Sequence, residues 1–155
     1  LIEGEVIDMA PIGSKHGSVV KRLVALMTST LGSRVIVAVQ DPLHLGDLSE
    51  PEPDLMLLKP RDDFYAEAHP GAAEVLLLIE VADTSARYDR EIKLPLYARH
   101  AVPEVWIVDL EARLVRFYSA PAGDAYGQSS TTATPGRTPI AALPGSEIDL
   151  SQILG

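Results

Sequence analysis

Three residues of this sequence, Asp54, Glu80 and Lys93, have side chains suited to metal-assisted chemistry. Carboxylate oxygens are the ligands that Mg²⁺ prefers, and an ion held by only two of them keeps several waters. A lysine beside such a water can orient it, lower its pKa or stabilise charge on a phosphorane-like transition state. The three residues would therefore suit hydrolysis of a phosphodiester if the fold brings them together.

The apolar segments around the two acids predict strands. Asp54 opens segment 54–58, and Glu80 stands near the end of segment 75–81, which is apolar on both faces as in a central strand. An unpaired charge at such a position is costly, so Glu80 must pair with a cation, bind a metal or carry a proton. A salt bridge with a nearby Lys or Arg is the purely structural alternative.

Lys93 lies in segment 88–100, which predicts a helix with a kink at Pro95. Asp89, Lys93 and Tyr97 are four residues apart in succession and share one face of this helix. For Asp89 and Lys93 the simpler alternative is an exposed ion pair. Two strands and the following helix can nevertheless deliver the two acids and the lysine above one edge of a sheet.

The remaining pattern predicts an α/β (α+β) fold with two helices against a mixed central sheet. An amphipathic helix is predicted from His16 to Leu31, ending at Gly32, after a turn at Pro11, Gly13 and Ser14. Further strands are predicted at residues 5–9, 35–39 (buried), 104–110 (with Trp106 in the core) and 114–118. Residues 59–73 are a predicted polar loop, 119–139 a flexible loop or poorly fixed hairpin, and 147–154 a closing strand or helical turn.

Length and composition fit one domain spanning residues 1–155 with a hydrophobic core, since 46% of the residues are hydrophobic. No apolar run reaches the roughly 18 residues of a membrane span, and no signal-peptide pattern is present. Because the chain begins at Leu1 rather than methionine, an upstream segment is an open expectation. Cysteine is absent, which excludes disulfides, thiolate catalysis and cysteine-ligated metal sites and fits a cytoplasmic protein.

The net charge of −9 argues against a broad electrostatic grip on nucleic acid. A nucleic-acid role would need a local basic rim, a partner, or metal ions that offset clustered carboxylates. Other chemistries have less support, since there is no recognisable Ser-His-Asp set and no phosphate-binding glycine loop. The histidines His44, His69 and His100 are dispersed and fit no zinc spacing.

Four stretches together, 52–55, 78–81, 88–97 and 102–109, resemble a large bacterial family of restriction-endonuclease-like proteins in the PD-(D/E)XK nuclease superfamily. The resemblance covers residues 1–118 and implies a restriction-endonuclease-like core, dependence on Mg²⁺ (or Mn²⁺), DNA as substrate and a homodimer. It assigns Asp54 to the Pro-Asp motif, Glu80 to the second acid and Lys93 to the lysine. The Val81 backbone carbonyl would be a further metal ligand, and Tyr97 would support the site from behind.

The sequence departs from the superfamily pattern at two places. The lysine normally follows the second acid by two positions, where this chain has Ala82, so Lys93 must replace it from the helix. The pattern also often has a glutamate on the first core helix, but residues 16–32 contain no acid. His16 or Glu5 could fill this place, although His16 could equally be an exposed helix-start residue and Glu5 a surface strand residue.

Two hypotheses of different classes follow. The first is a Mg²⁺-dependent endonuclease that acts on DNA through Asp54, Glu80 and Lys93. The second is a catalytically inactive dimer with the nuclease fold that acts as an interaction or regulatory module, for which the negative net charge speaks.

Overall fold

A mixed six-stranded sheet with helices on both faces forms the centre of the molecule. The structure, a computed structural model, describes residues 1–7 and 13–155. Its helices are α1 (Ser14–Leu31), α2 (Ala86–Tyr88) and α3 (Leu94–Arg99), with a π-helical segment (Asp89–Lys93) joining α2 to α3. Its strands are β1 (Ile36–Val39), β2 (Leu55–Leu58), β3 (Val75–Ala82), β4 (Glu104–Asp109), β5 (Leu114–Ala122), β6 (Ala125–Thr132), β7 (Arg137–Pro139) and β8 (Glu147–Asp149). Short 3₁₀ turns lie at Gly32–Arg34 and Ala72–Glu74.

The strands of the main sheet follow the order β1-β2-β3-β4-β5-β6, while β7 and β8 form a separate hairpin. Among the strands that the structure describes, β3 and β4 form the one parallel pair, because the helical segment from α2 to α3 carries the chain back between them. The other neighbouring pairs are antiparallel. The predicted mixed sheet with two flanking helical segments is confirmed.

Helix α1 covers one face of the sheet. Its buried residues Val19, Val20, Leu23, Met27 and Leu31 recur every three or four positions, as the sequence predicted. They pack in one core cluster with Trp106, which is fully buried and meets Phe117 edge to face at 5.5 Å between ring centroids. Gly32 ends the helix with a φ of 54°, a value that glycine adopts without a side-chain clash.

The second core cluster fills the opposite face, beneath α3. It contains Leu96 and Tyr97 of α3 together with residues from three central strands, among them Met56, Leu78 and Ile107. Successive side chains of a strand point to opposite faces, so residues two apart lie on the same side. Glu80 therefore faces α3 together with Leu78.

The helix from α2 to α3 widens instead of simply kinking at Pro95. Proline has no N–H to donate to the carbonyl four residues earlier, that of Glu91, and its ring crowds that carbonyl. The N–H of Leu94 donates to the carbonyl of Asp89, five residues back, which is the π-helical pattern. The expected disturbance at Pro95 thus takes the form of a π-helical turn over Asp89–Lys93.

Two predictions near the amino terminus are wrong or lie outside the described residues. The strand predicted at 5–9 is absent from its described part, since Glu5 forms only an isolated bridge with Ile2 and residues 6–7 have no strand structure. Residues 8 and 9, and Pro11 of the predicted turn, lie outside the described residues.

The segment predicted as a buried strand at 35–39 is the edge strand β1, in which only Ala38 is buried. Among the described residues, β1 pairs with β2 alone.

The carboxyl-terminal third is more regular than its composition suggested. β5 continues to Ala122 and pairs along its length with β6, so the hairpin alternative describes residues 119–132 better than the flexible loop. A two-residue turn joins the strands, and its first residue, Gly123, has a φ of 64°. The segment predicted at 147–154 divides into β8 followed by a turn. No helix in residues 1–7 and 13–155 is long and apolar enough to cross a bilayer.

Candidate active site

Asp54 and Glu80 lie opposite each other where β2 begins and β3 ends. The N–H of Gln40 donates to the Asp54 carbonyl at 3.2 Å, so strand-like pairing continues one residue beyond β2. Leu55 pairs with Ile79, and extending this antiparallel register by one residue places Asp54 across from Glu80. Directly opposite residues present their side chains to the same face of a sheet. The two carboxylates are therefore neighbours, as the sequence predicted.

The Asp54 carboxylate is held by groups from two other elements. Its Oδ2 accepts a hydrogen bond of 2.8 Å from the backbone N–H of Val81, and its Oδ1 lies 3.1 Å from Nε2 of His16. His16 lies in the first turn of α1, and its Nδ1 is buried without a hydrogen-bond partner among the described residues. His16 thus contacts the first acid, whereas Val81 contacts it through its N–H. Metal ligation by the Val81 carbonyl stays a prediction.

Glu80 is buried and has two partners on the helix that covers it. Its Oε2 lies 2.9 Å from Nζ of Lys93, and its Oε1 accepts a hydrogen bond of 3.2 Å from the hydroxyl of Tyr97. Lys93 and Tyr97 are one helical turn apart, which explains how one helix face contacts both oxygens. The structure therefore brings together Asp54, Glu80, Lys93, Tyr97 and His16.

Asp89 is a further member of this group, and the alternative of an exposed Asp89–Lys93 pair is wrong, because the pair forms but is buried. Asp89 is only 2% exposed, its Oδ1 lies 3.5 Å from Nζ of Lys93, and its Oδ2 accepts a hydrogen bond of 3.2 Å from Ser85. The shared helix face of Asp89, Lys93 and Tyr97 was the sequence signal. The signal failed to indicate burial because the π-helical turn and the covering of this face by the sheet are tertiary features.

Burial and mutual repulsion shift the titration of these groups. Burial raises the pKa of Glu80 to about 8, with Lys93 lowering it in part and the charges of Asp89 and Asp54 raising it further. Burial also raises the pKa of Asp89. For Lys93, burial lowers the pKa, but the charges of Glu80 and Asp89 outweigh this effect and leave it above its usual value. Burial raises the pKa of Tyr97 well above that of a free phenol.

The site therefore contains three acidic side chains around one ammonium that stays protonated at neutral pH. Asp54, Glu80 and Asp89 are each buried to at least 90%, so a charge on any of them is poorly screened by solvent. Within the described ranges, no group of three or more His, Asp or Glu side chains is arranged to hold a metal ion. A cation here would therefore have two carboxylate ligands at most, and waters or backbone oxygens would complete its shell.

Glu5 is the predicted site residue that the structure leaves apart. It lies in an exposed amino-terminal turn closed by two backbone hydrogen bonds with Ile2. Among the described residues, the side chain of Glu5 makes no hydrogen bond or ion pair with Asp54, Glu80 or Lys93. Residues 5–7 form no strand, which explains this difference, since the prediction relied on a strand there to place Glu5 in the sheet.

Comparison with known proteins agrees with this architecture. A solved structure, a "putative nuclease belonging to DUF820" from Anabaena variabilis ATCC 29413, superposes with a TM-score of 0.77 at 14% sequence identity. The match covers 99% of this chain and 87% of the other, and it confirms the restriction-endonuclease-like fold. No curated protein matches the chain. The model of the Uma2 family, described as "Putative restriction endonuclease", matches residues 1–151, and the chain belongs to this family.

Proposed function

We propose that this protein is a Mg²⁺-dependent (or Mn²⁺-dependent) endonuclease that hydrolyses phosphodiester bonds of DNA at Asp54, Glu80 and Lys93. One observation carries the proposal: the Lys93 ammonium lies 2.9 Å from the buried Glu80 carboxylate, which stands across from Asp54. Membership of a family described as restriction endonucleases supports DNA as the substrate. The sheet edge thus combines two acids with a positively charged hydrogen-bond donor, the groups that such hydrolysis requires.

The donor set fits a hard divalent cation. Three buried acidic side chains lie around one ammonium, and a bound cation would favour their ionised forms and offset the excess of negative charge that ionisation creates. Asp54 and Glu80 would hold it, with the Val81 carbonyl as a further oxygen ligand. Each carboxylate oxygen has two lone pairs, so the existing hydrogen bonds leave acceptor capacity. When bound, Mg²⁺ would polarise a phosphoryl oxygen and lower the pKa of its water.

Lys93 would act as a positively charged hydrogen-bond donor and not as the general base that removes a proton from the attacking water. The charges of Glu80 and Asp89 keep its pKa above the usual value, and a protonated lysine has three donors and no acceptor. Such a group can orient the attacking water through its oxygen and stabilise negative charge on the phosphoryl group. It cannot remove the water's proton while it stays protonated.

His16 and Tyr97 would position the two acids. His16 contacts Asp54 at 3.1 Å, and Tyr97 donates to Glu80 at 3.2 Å. Groups that hold a ligating carboxylate fix its direction and tune its affinity for the ion. The accessory role predicted for His16 would then be to orient the Asp54 carboxylate.

The test is cleavage of a supercoiled plasmid with Mg²⁺, with Mn²⁺ and with EDTA. The proposal expects nicking only with a divalent ion, and loss of nicking in Asp54→Ala and Glu80→Ala. Glu111→Gln removes a charge from an exposed turn residue and serves as the control that keeps full activity. Equal background cleavage by the wild type and both alanine variants would remove the enzymatic claim.

A catalytically inactive dimer that acts as an interaction or regulatory module is the second candidate. Two observations favour it: the net charge of −9, and the fact that both acids already have protein partners. Such a network could stabilise the fold without any metal. Calorimetric titration with Mg²⁺ and Mn²⁺ separates the two candidates. Heat of binding in the wild type that disappears in Asp54→Ala supports the metal site, and no heat in either supports the module.

A further inference from the structure

Arg116 lies in the same row of the sheet as the two acids. Glu80 of β3 pairs with Ile107 of β4, and Ile107 pairs with Arg116 of β5. Directly paired residues face the same side of the sheet, so Arg116 points to the face on which Glu80 meets Lys93. Two strand spacings separate the Cα atoms of Glu80 and Arg116, which amounts to about 10 Å.

The guanidinium of Arg116 has unused donors. Its only ion-pair partner among the described residues is Asp109, at 3.4 Å from Nη2 to Oδ2, which is a long contact. Its Nε is buried without a partner in the part of the chain that the structure describes. Arginine carries five N–H donors, and the side chain is 18% exposed. Asp109 therefore directs this arginine without saturating it.

Arg90 and Tyr118 complete a small polar surface beside Arg116. Tyr118 lies two residues beyond Arg116 on β5, so it faces the same side of the sheet, where it packs against the cluster beneath α3. Burial raises the pKa of its hydroxyl, and the charges of Arg116 and Arg90 each lower it in part, which agrees with this placement. Arg90 is exposed on the helical segment that covers this face, and among the described residues its one side-chain hydrogen bond is from Nε to the Ala86 carbonyl at 3.4 Å. Its neighbour Arg87 differs, because it is paired with Glu91 at 3.1 Å.

We propose that Arg90, Arg116 and Tyr118, called here the arginine patch, bind the phosphate backbone of DNA beside the candidate active site. Guanidinium groups match phosphate oxygens in charge and geometry, and a tyrosine hydroxyl adds a donor. A duplex strand advances about 3.4 Å per nucleotide, so about 10 Å corresponds to contact within about three nucleotides of the scissile bond. The proposal rests on the proposed nuclease function.

The arginine patch addresses the difficulty raised by the negative net charge. The charge of −9 belongs to the whole chain, whereas a bound strand experiences the charges within roughly 10 Å at moderate ionic strength. Two arginines, Arg116 on the sheet face beneath Lys93 and Arg90 on the helical segment of Lys93, would supply a local basic rim. A divalent ion between Asp54 and Glu80 would then remove much of the nearest repulsion.

Binding of a fluorescent DNA duplex, followed by anisotropy, tests the patch. Ca²⁺ replaces Mg²⁺, gels verify that the duplex stays intact, and the salt concentration is varied. Arg90→Gln and Arg116→Gln are each expected to weaken binding roughly fivefold to tenfold through loss of a charge-assisted contact. The double variant is expected to reduce the slope of log K against log salt by about 2, one unit for each lost phosphate contact.

Arg137→Gln is the matched control. Arg137 is exposed in β7, whose partner β8 packs on the α1 side through Ile148, so the same charge is removed from the opposite face. Arg137→Gln is expected to bind DNA like the wild type. If circular dichroism shows that Arg116→Gln does not fold, DNA binding by Arg90→Gln alone tests the patch, since this substitution of an exposed residue removes no buried contact.

The outcomes separate this inference from the proposed function. DNA binding that depends on the arginine patch, in a protein that never cleaves, supports the patch and refutes the nuclease. Cleavage by a protein whose patch variants bind DNA like Arg137→Gln refutes the patch alone. Absence of DNA binding by the wild type refutes the patch. Equal competition by polyglutamate, at matched charge, would also refute it, because the surface would then select acidic protein segments instead of phosphates.

Discussion

Replacing Glu80 by glutamine should change how the stability of the protein depends on pH. The substitution keeps the size of the side chain and its capacity to accept from Lys93, but it removes the buried titrating group. Burial raises the pKa of Glu80 in the folded protein to about 8, compared with 4.5 for an ordinary glutamate. Between these two values the folded protein holds a proton that the unfolded chain has released.

The sign and size of the effect follow from this difference. The extra stability from the raised pKa is fully present below pH 4.5 and is lost as the pH rises toward 8. One proton changes the free energy of unfolding by roughly 1.4 kcal/mol per pH unit. From pH 5.5 to 7.5 the wild type should lose about 3 kcal/mol relative to Glu80→Gln, as an order of magnitude. Asp89, whose pKa is also raised, should keep its contribution in both proteins.

Urea denaturation in EDTA at several pH values measures this difference. The free energy of unfolding of the wild type should fall toward that of Glu80→Gln, or below it, as the pH rises. For Glu111→Gln, at an exposed turn position, the free energy of unfolding should depend on pH as it does in the wild type. Parallel curves for the wild type and Glu80→Gln would refute the reasoning, since they would mean that Glu80 titrates alike in the folded and unfolded states. Added Mg²⁺ should stabilise the wild type at high pH more than the variant.

Two further substitutions test the surroundings of the site. Tyr97→Phe removes the hydroxyl that donates to Glu80 at 3.2 Å, and urea denaturation should show a loss of about 1 kcal/mol together with a higher pKa of Glu80. Trp106→Ala opens a cavity in the cluster beneath α1 and should lower the free energy of unfolding by about 3–5 kcal/mol. Ile92→Ala, at an exposed helix position, should change it by less than about 0.5 kcal/mol, and equal losses in the two alanine variants would contradict the assigned core.

The sequence predicted the elements whose pattern is local and strong. Helix α1 follows from its apolar spacing, and β3 from its unbroken apolar run. The cluster of Asp54, Glu80 and Lys93 was predictable because strand ends and the following helix must meet at one sheet edge. His16 was predicted only as one of two residues, with Glu5, that could replace the glutamate of the first core helix.

The failures concern features that depend on distant neighbours. The segment at 35–39 has the β-branched composition of a buried strand, yet in the described part of the chain β1 pairs on one side only, and Ala38 is its one buried residue. Residues 119–132 have a loop-like composition, but pairing within a hairpin orders them as the end of β5, a two-residue turn and β6. The burial of Asp89 was left open because periodicity assigns a helix face without indicating whether a sheet covers that face.

The central claim is that Lys93 beside Glu80 serves metal-dependent hydrolysis and not only packing. The most direct measurement is the single-turnover rate of DNA cleavage with Mg²⁺ for the wild type and Lys93→Met. Lys21→Met, an exposed lysine of α1, is the control with the same change of charge. Lys93→Met is expected to be at least about 100-fold slower than the wild type, while Lys21→Met is expected to match it. Equal rates for the two variants, or no metal-dependent cleavage by the wild type, would contradict the central claim.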